Sequence, residues 1–178
     1  MATYAFKGRG AAIPYDAPMQ NVLKRNISFP DLIANPGKLA LAATPSLGLT
    51  SFSTGFANGD VLELFEVPAG FLLTNLGVRI STGQAETAAF EIGYNSATQT
   101  ALGVAATSTD PNAYLASGDL TSAGVQDISL FGKVDRTGTQ DNFADLYVTN
   151  GSIDMTFGTA IDYDVAIFDI WVIGQKVF

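Results

Sequence analysis

DVLELFEVPAGFLLTNLGVRIST, residues 60–82, decides the fold class. It reads as strand, turn, strand: Asp60–Val67, the turn sequence Pro68-Ala69-Gly70, then Phe71–Thr82. In the second strand Leu72, Thr74, Leu76, Val78 and Ile80 share one face at period 2, the spacing at which a pleated backbone returns side chains to one side. Downstream, Thr87–Tyr94 alternates Ala88, Phe90, Ile92 and Tyr94 inward against Ala89 and Glu91 outward. A long Ala/Ser/Thr-rich connection, containing Asp110-Pro111 and Ser117-Gly118-Asp119, runs to about Gly124. Further strands are expected at Val125–Phe131, Phe143–Thr149, Ser152–Phe157 and Tyr163–Lys176, with Asn150-Gly151 as a two-residue hairpin signal. No stretch of this body has the pattern of a helix beyond about two turns. Short strands separated by Gly-rich turns predict an all-β body, an antiparallel β-sandwich over residues 58–178.

Residues 1–57 read differently. Five of the seven prolines, Pro14, Pro18, Pro30, Pro36 and Pro45, fall in the first 45 residues. Proline lacks a ladder donor and restricts its predecessor, so an extended, largely irregular N-terminal arm is expected. One short helical turn fits near Pro30–Asn35. Tyr4, Phe6, Tyr15, Val22, Leu23, Ile27, Phe29, Leu32 and Ile33 make the arm too apolar for a solvated tail. It must be ordered by lying on something.

Charge divides along the same line. Residues 1–38 carry Lys7, Arg9, Lys24, Arg25 and Lys38 against Asp16 and Asp31, whereas the rest carries four basic and fifteen acidic side chains. A chain that keeps its charge signs apart is suited to bind copies of itself or an acidic neighbour through its arm. The last strand points the same way. Ala166, Phe168, Ile170 and Val172 occupy one face, and Val165, Ile167, Trp171 and Ile173 the other. Two apolar faces require two covers. One is the sandwich core, and the other is expected to be the arm or a second subunit. Asp169 sits on that second face and needs a donor, expected to be an arm Lys or Arg from a neighbouring copy. Asp169 and Trp171 therefore mark the expected inter-subunit face.

Composition closes other routes. Only 15% of the 178 residues are charged and 47% are hydrophobic. So little charge leaves apolar surface to be covered by another chain. There is no cysteine and no histidine, which removes disulfides, thiolate metal sites, imidazole bases and Ser-His-Asp triads. No window approaches 18 uninterrupted apolar residues, and no signal-peptide core follows the start, so synthesis in a cytoplasm and no membrane partner are expected. The acidic body repels phosphates, which argues against nucleic acid.

The order Val67-Pro68-Ala69-Gly70, Phe71–Ile80, a small-residue loop, Phe90-Glu91-Ile92-Gly93-Tyr94 and Asp110-Pro111-Asn112-Ala113-Tyr114 resembles the jelly-roll cement, or capsid decoration, proteins of tailed bacteriophages. The resemblance covers roughly residues 60–131 and leaves the arm unmatched. It implies a jelly-roll sandwich that clamps neighbouring capsid subunits from outside, as a dimer or trimer.

Competing chemistries are weaker. Asp162 and Asp164 lie two apart on one strand, roughly 6–7 Å between side chains, a spacing also found in glycosidase carboxylate pairs. A solvated acidic pair at the lip of the sheet is the favoured reading of them. Asp135, Asp141, Asp145, Asp162 and Asp164 flank loops and would suit calcium, but no D-x-[DN]-x-[DN]-G loop is present, so no cofactor is expected. Lys7-Gly8-Arg9-Gly10 lacks the spacing of a phosphate-binding loop. Asn26-Ile27-Ser28 and Asn150-Gly151-Ser152 match the glycosylation triplet without a secretory context. The expected function is a non-enzymatic virion structural protein, a cement subunit on the capsid exterior. Its expected partners are the major capsid protein and itself, as a homotrimer with a dimer as rival. Lys7, Arg9, Lys24, Arg25 and Phe29 are the expected partner-binding residues. The alternative is a carbohydrate- or receptor-binding sandwich of a fibre or spike.

Overall fold

A computed structural model describes residues 2–7, 21–84, 88–94, 99–101, 104–105, 110–129, 145–147, 150–158 and 163–177. In chain order the strands are β1 (Thr3–Phe6), β2 (Asn21–Ser28), β3 (Leu39–Leu41), β4 (Val61–Val67), β5 (Phe71–Thr82), β6 (Ala89–Tyr94) and β7 (Gln99–Ala101). They continue as β8 (Val104–Ala105), β9 (Asp110–Asp119), β10 (Gly124–Ser129), β11 (Asp145–Tyr147), β12 (Gly151–Phe157) and β13 (Ile167–Lys176). One helical turn, α1 (Phe29–Ala34), follows β2. The strands form two sheets. The first runs β3-β1-β4-β12-β6-β9, and the second runs β2-β13-β5-β11-β7-β8, with β10 also on β5. Every described pairing is antiparallel except β1 against β4, which is parallel. Side chains from both sheets make one hydrophobic core, so the molecule is an all-β sandwich.

Alternation builds that core. Phe90 and Ile92 of β6, Ile153, Met155 and Phe157 of β12, and Phe168, Ile170 and Val172 of β13 have no exposed surface. Strand β5 departs from strict alternation. Phe71 and Leu73 point inward, and then so do Leu76, Val78 and Ile80, with Thr74 and Asn75 both half-buried between them. The register against β13 skips Thr74 between Ile173 and Gly174, and the Thr74 hydroxyl donates to the Ile173 carbonyl at 3.1 Å. This bulge moves Leu72 and Thr74 off the face assigned to them by period 2.

The N-terminal segment is less irregular than its prolines imply. Strand β1 inserts between β3 and β4, and β2 extends the other sheet beside β13. Among the described residues no proline falls within β1 or β2. Pro30 opens α1, where its missing N–H costs nothing, and Ser28 caps the turn by accepting from Asp31 N–H at 3.3 Å. Phe52 and Phe56 join the same core as the body strands, so residue 57 does not separate two cores. Deleting residues 1–38 would therefore remove core side chains as well as charge. The Ala/Ser/Thr-rich connection also holds strands. β9 runs from Asp110 to Asp119 at the edge of its sheet, buries Tyr114, and tolerates Pro111 because an edge strand leaves half its donors unpaired. The expected strand ends at Phe131, Phe143 and Thr149 lie outside the described residues.

Buried Asp60 fixes the start of the chain to the body. Its carboxylate accepts from Ala2 N–H at 2.7 Å and from Ala57 N–H at 3.1 Å. Asp60→Ala leaves both donors without their acceptor and is expected to cost about 1–3 kcal/mol in urea unfolding at an unchanged slope. An unchanged midpoint would show that this carboxylate does not hold the N-terminal segment.

Candidate interaction surface

The outer face of β13 carries Ile167, Asp169, Trp171 and Ile173. Register extends these residues into rows across three strands. Val22 lies opposite Ile173, Lys24 opposite Trp171 and Asn26 opposite Asp169 on β2. On the other side Asn75, Gly77 and Arg79 of β5 complete the rows. Val125 of β10 adds to the Arg79 row. Val22 and Val125 are 63% and 62% exposed, and Trp171 and Ile173 are half-buried. Polar groups interrupt the apolar ones of this face in every row, Asn75 beside Ile173, Lys24 and Asp127 in the Trp171 row, and most fully in the row of Asn26, Asp169 and Arg79.

Asp169 centres that row. Its carboxylate accepts from Asn26 Nδ2 at 3.1 Å and pairs with Lys24 Nζ at 3.0 Å. The Asn26 hydrogen bond is the largest cause holding this carboxyl below its ordinary 3.8, with Lys24 and Arg79 adding attraction and burial opposing them. The donor expected from a neighbouring copy is thus supplied within the chain. Strand β2 is long enough to lie along β13 over its full register, which brings Lys24 to Asp169 without exchange. Among the described residues the arm extends this sheet at its edge, as β2 beside β13.

Trp171 rests on Gly77. A Cβ built there would stand 2.1 Å from the indole Cζ2, so the ring occupies the space that any side chain at 77 would need. A glycine inside a strand pattern signals such an approach, and it was the available clue to this contact.

On its other face β2 turns Leu23, Arg25 and Ile27 toward the first sheet. The Arg25 guanidinium carbon lies 3.9 Å from the Phe6 ring centroid and 5.9 Å from that of Phe65. Burial lowers the Arg25 pKa, and its Nε has no hydrogen-bond partner among the described residues. A cleft of about 500 Å³ opens beside it, lined by Lys7, Lys24, Arg25 and Lys38 with Asp31 as its one carboxylate. Asp31 pairs with Lys38, whose hydrogen bond is the main cause of its lowered pKa.

Three expected partner-binding cations therefore converge: Lys7, Lys24 and Arg25 line one cleft. Arg9 lies outside the described residues. Phe29 is a correction. It is fully buried within ring-contact distance of Phe56, Phe157, Tyr163 and Phe168, because the first turn of α1 aims it into the core. Lys38 joins the cleft unforeseen, brought there by a backbone bond from Lys7 N–H to Lys38 O at 2.8 Å.

Of the acidic candidates, few lie within the described residues. Asp164 is exposed and accepts from Gln84 Nε2 at 2.8 Å, while Asp135, Asp141 and Asp162 lie outside the described residues. Among the described residues no three His, Cys, Asp or Glu side chains form a group that could hold a metal ion.

Neither a protein-family model nor a curated protein sequence matches the chain. Among solved structures, it is similar to a chain of the capsid of Ralstonia phage GP4, with a TM-score of 0.54 and 15% identity over 99% of this chain and 100% of that one. It is also similar to a chain of the acid-stable capsid of Helicobacter pylori bacteriophage KHP30, with a TM-score of 0.47 and 12% identity over 88% of this chain and 87% of that one. At such identities the likeness to the first is one of fold.

Two variants test the geometry of this face. Gly77→Ala is expected to destabilise by about 1–3 kcal/mol. It should also shift the emission of the sole tryptophan to the red as the ring is displaced; unchanged emission would count against the contact. Because the Asp169 pKa is lowered by folding, its contribution is complete above the ordinary 3.8 and is lost as pH falls through the lower folded value. The Tm gap between wild type and Asp169→Asn should be open at neutral pH and should narrow below 3.8. A gap independent of pH would contradict the charge network.

Proposed function

We propose that the protein is a non-enzymatic structural component of a phage virion, a cement or decoration subunit on the outside of the assembled head that bridges neighbouring shell subunits. The observation that carries this reading is the likeness of fold, end to end, to a chain of the Ralstonia phage GP4 capsid. Three features of the chain support it. The lack of histidine and cysteine leaves few catalytic routes. The strip around Trp171, Ile173, Val22 and Val125 offers apolar surface for a neighbour. The basic cleft offers complementary charge to an acidic one.

The mechanism is thermodynamic. A subunit that binds the assembled shell but not its dissociated parts stabilises the shell by mass action, by about 2.7 kcal/mol per site at a hundredfold excess over Kd. The partners in this reading are the major capsid protein and a second and third copy of the chain. Calcium, nucleic acid and membrane have no role in it.

The test uses shells assembled from the major capsid protein encoded alongside this chain. Added protein should co-sediment saturably with intact shells and raise their disassembly temperature. Val125→Lys, at an exposed position beside Arg79, should stay folded and lose at least about tenfold in shell affinity, as expected for an uncompensated charge in the contact. Absence of co-sedimentation, with no change in disassembly temperature, would sink the shell reading.

A further inference from the structure

Strand β2 ends its sheet: among the described residues it pairs with β13 alone. The direction of its hydrogen bonds can be read from its end. Phe29 N–H donates to Ala166 O at 3.0 Å, and this pair continues the β2–β13 register. In an antiparallel ladder the hydrogen-bonded residues alternate. Leu23, Arg25 and Ile27 therefore bond toward β13, and Val22, Lys24 and Asn26 turn their N–H and C=O groups to the open side. An edge with these groups free is a template for another strand.

The chemistry around the edge selects the strand. A strand added beside β2 would project alternate side chains to the inner side, where the cleft presents Lys7, Arg25 and Lys38. Asp31 is the one acid lining that space and already pairs with Lys38, while Glu63 and Glu66 line a smaller cavity with Arg25. A second β2 is the wrong occupant, because edge-to-edge pairing of two copies would set Lys24 and Arg25 against the same cations. An acidic strand has the opposite balance.

We propose that the β2 edge captures an extended acidic segment of another protein by strand addition, seating carboxylates at alternate positions among Lys7, Arg25 and Lys38. The inference rests on this edge and its cleft, and it holds whether or not the partner belongs to a shell.

The probe is a fluorescein-labelled octapeptide of alternating glutamate and threonine, titrated with the full-length protein and read by anisotropy. Saturable binding is expected, weakened at least about tenfold by Lys7→Gln with Lys38→Gln, and by salt near 1 M. Val22→Pro is the decisive variant. Its ring replaces an outward N–H at an exposed position, so Tm should hold while binding falls at least about tenfold. A peptide N-methylated on one backbone edge should lose affinity to the same degree. Equal binding of the proline variant or of the methylated peptide would overturn strand addition. So would failure of the glutamate peptide to bind while an oligothymidylate binds, which would make the cleft a phosphate site.

Discussion

The structure depends on burying the aromatic rings of the N-terminal segment in the core of the body. Phe56 stacks on Phe157 with centroids 4.4 Å apart, and Phe29 stands edge-on to both at 5.5 and 5.8 Å. Tyr4 and Phe52 extend the cluster toward β1. Each fully buried ring contributes roughly 1.5–3 kcal/mol, so Phe29, Phe52 and Phe56 together approach the ~5–15 kcal/mol margin of a whole domain. Everything described on the surface follows from that anchoring. With Phe29 in the core, β2 must run along β13, Lys24 must meet Asp169, and Lys7 and Lys38 must close the cleft around Arg25.

Buried polar groups then fix segments that apolar packing leaves free to slide. Gln84 is the clearest case. Its side-chain oxygen accepts from Val165 N–H at 3.0 Å and Ala166 N–H at 3.1 Å, and its own N–H donates to Leu120 O. The side chain thus ties the end of β5 to the start of β13, and the backbone N–H ties it to the loop after β9. Tyr114 and Tyr147 do the same between the sheets, with hydroxyls 3.0 Å apart in the core. These contacts are directional, so they set register where non-directional burial could not.

Much of this was legible in the sequence, and the failures have physical reasons. Alternation in β6 and β13 identified their inward apolar residues, because a strand with one inward face must repeat every second residue. The bulge at Thr74 was invisible, since it is set by the partner strand and by a hydroxyl that bonds across to Ile173. Pro111 disguised β9 as a connection because a sequence does not say which strand lies at an edge. The apolar arm showed that a cover was needed. It did not show that the cover was its own body, so Phe29 read as a contact for a partner. Asp169 shows the same limit: the type of its donor was readable, but not the chain that supplies it.

That limit also explains the shape of the interaction surface. Lys24 meets Asp169 and Lys38 meets Asp31 inside the chain. Arg25 is different. Packing it on Phe6 desolvates the guanidinium, and its Nε is left without an acceptor. A buried donor in that state costs about 1–3 kcal/mol, which the isolated subunit must bear. The cation–π contact with Phe6 and Phe65 offsets part of that cost, and the sealed position of the Nε keeps the rest within the fold.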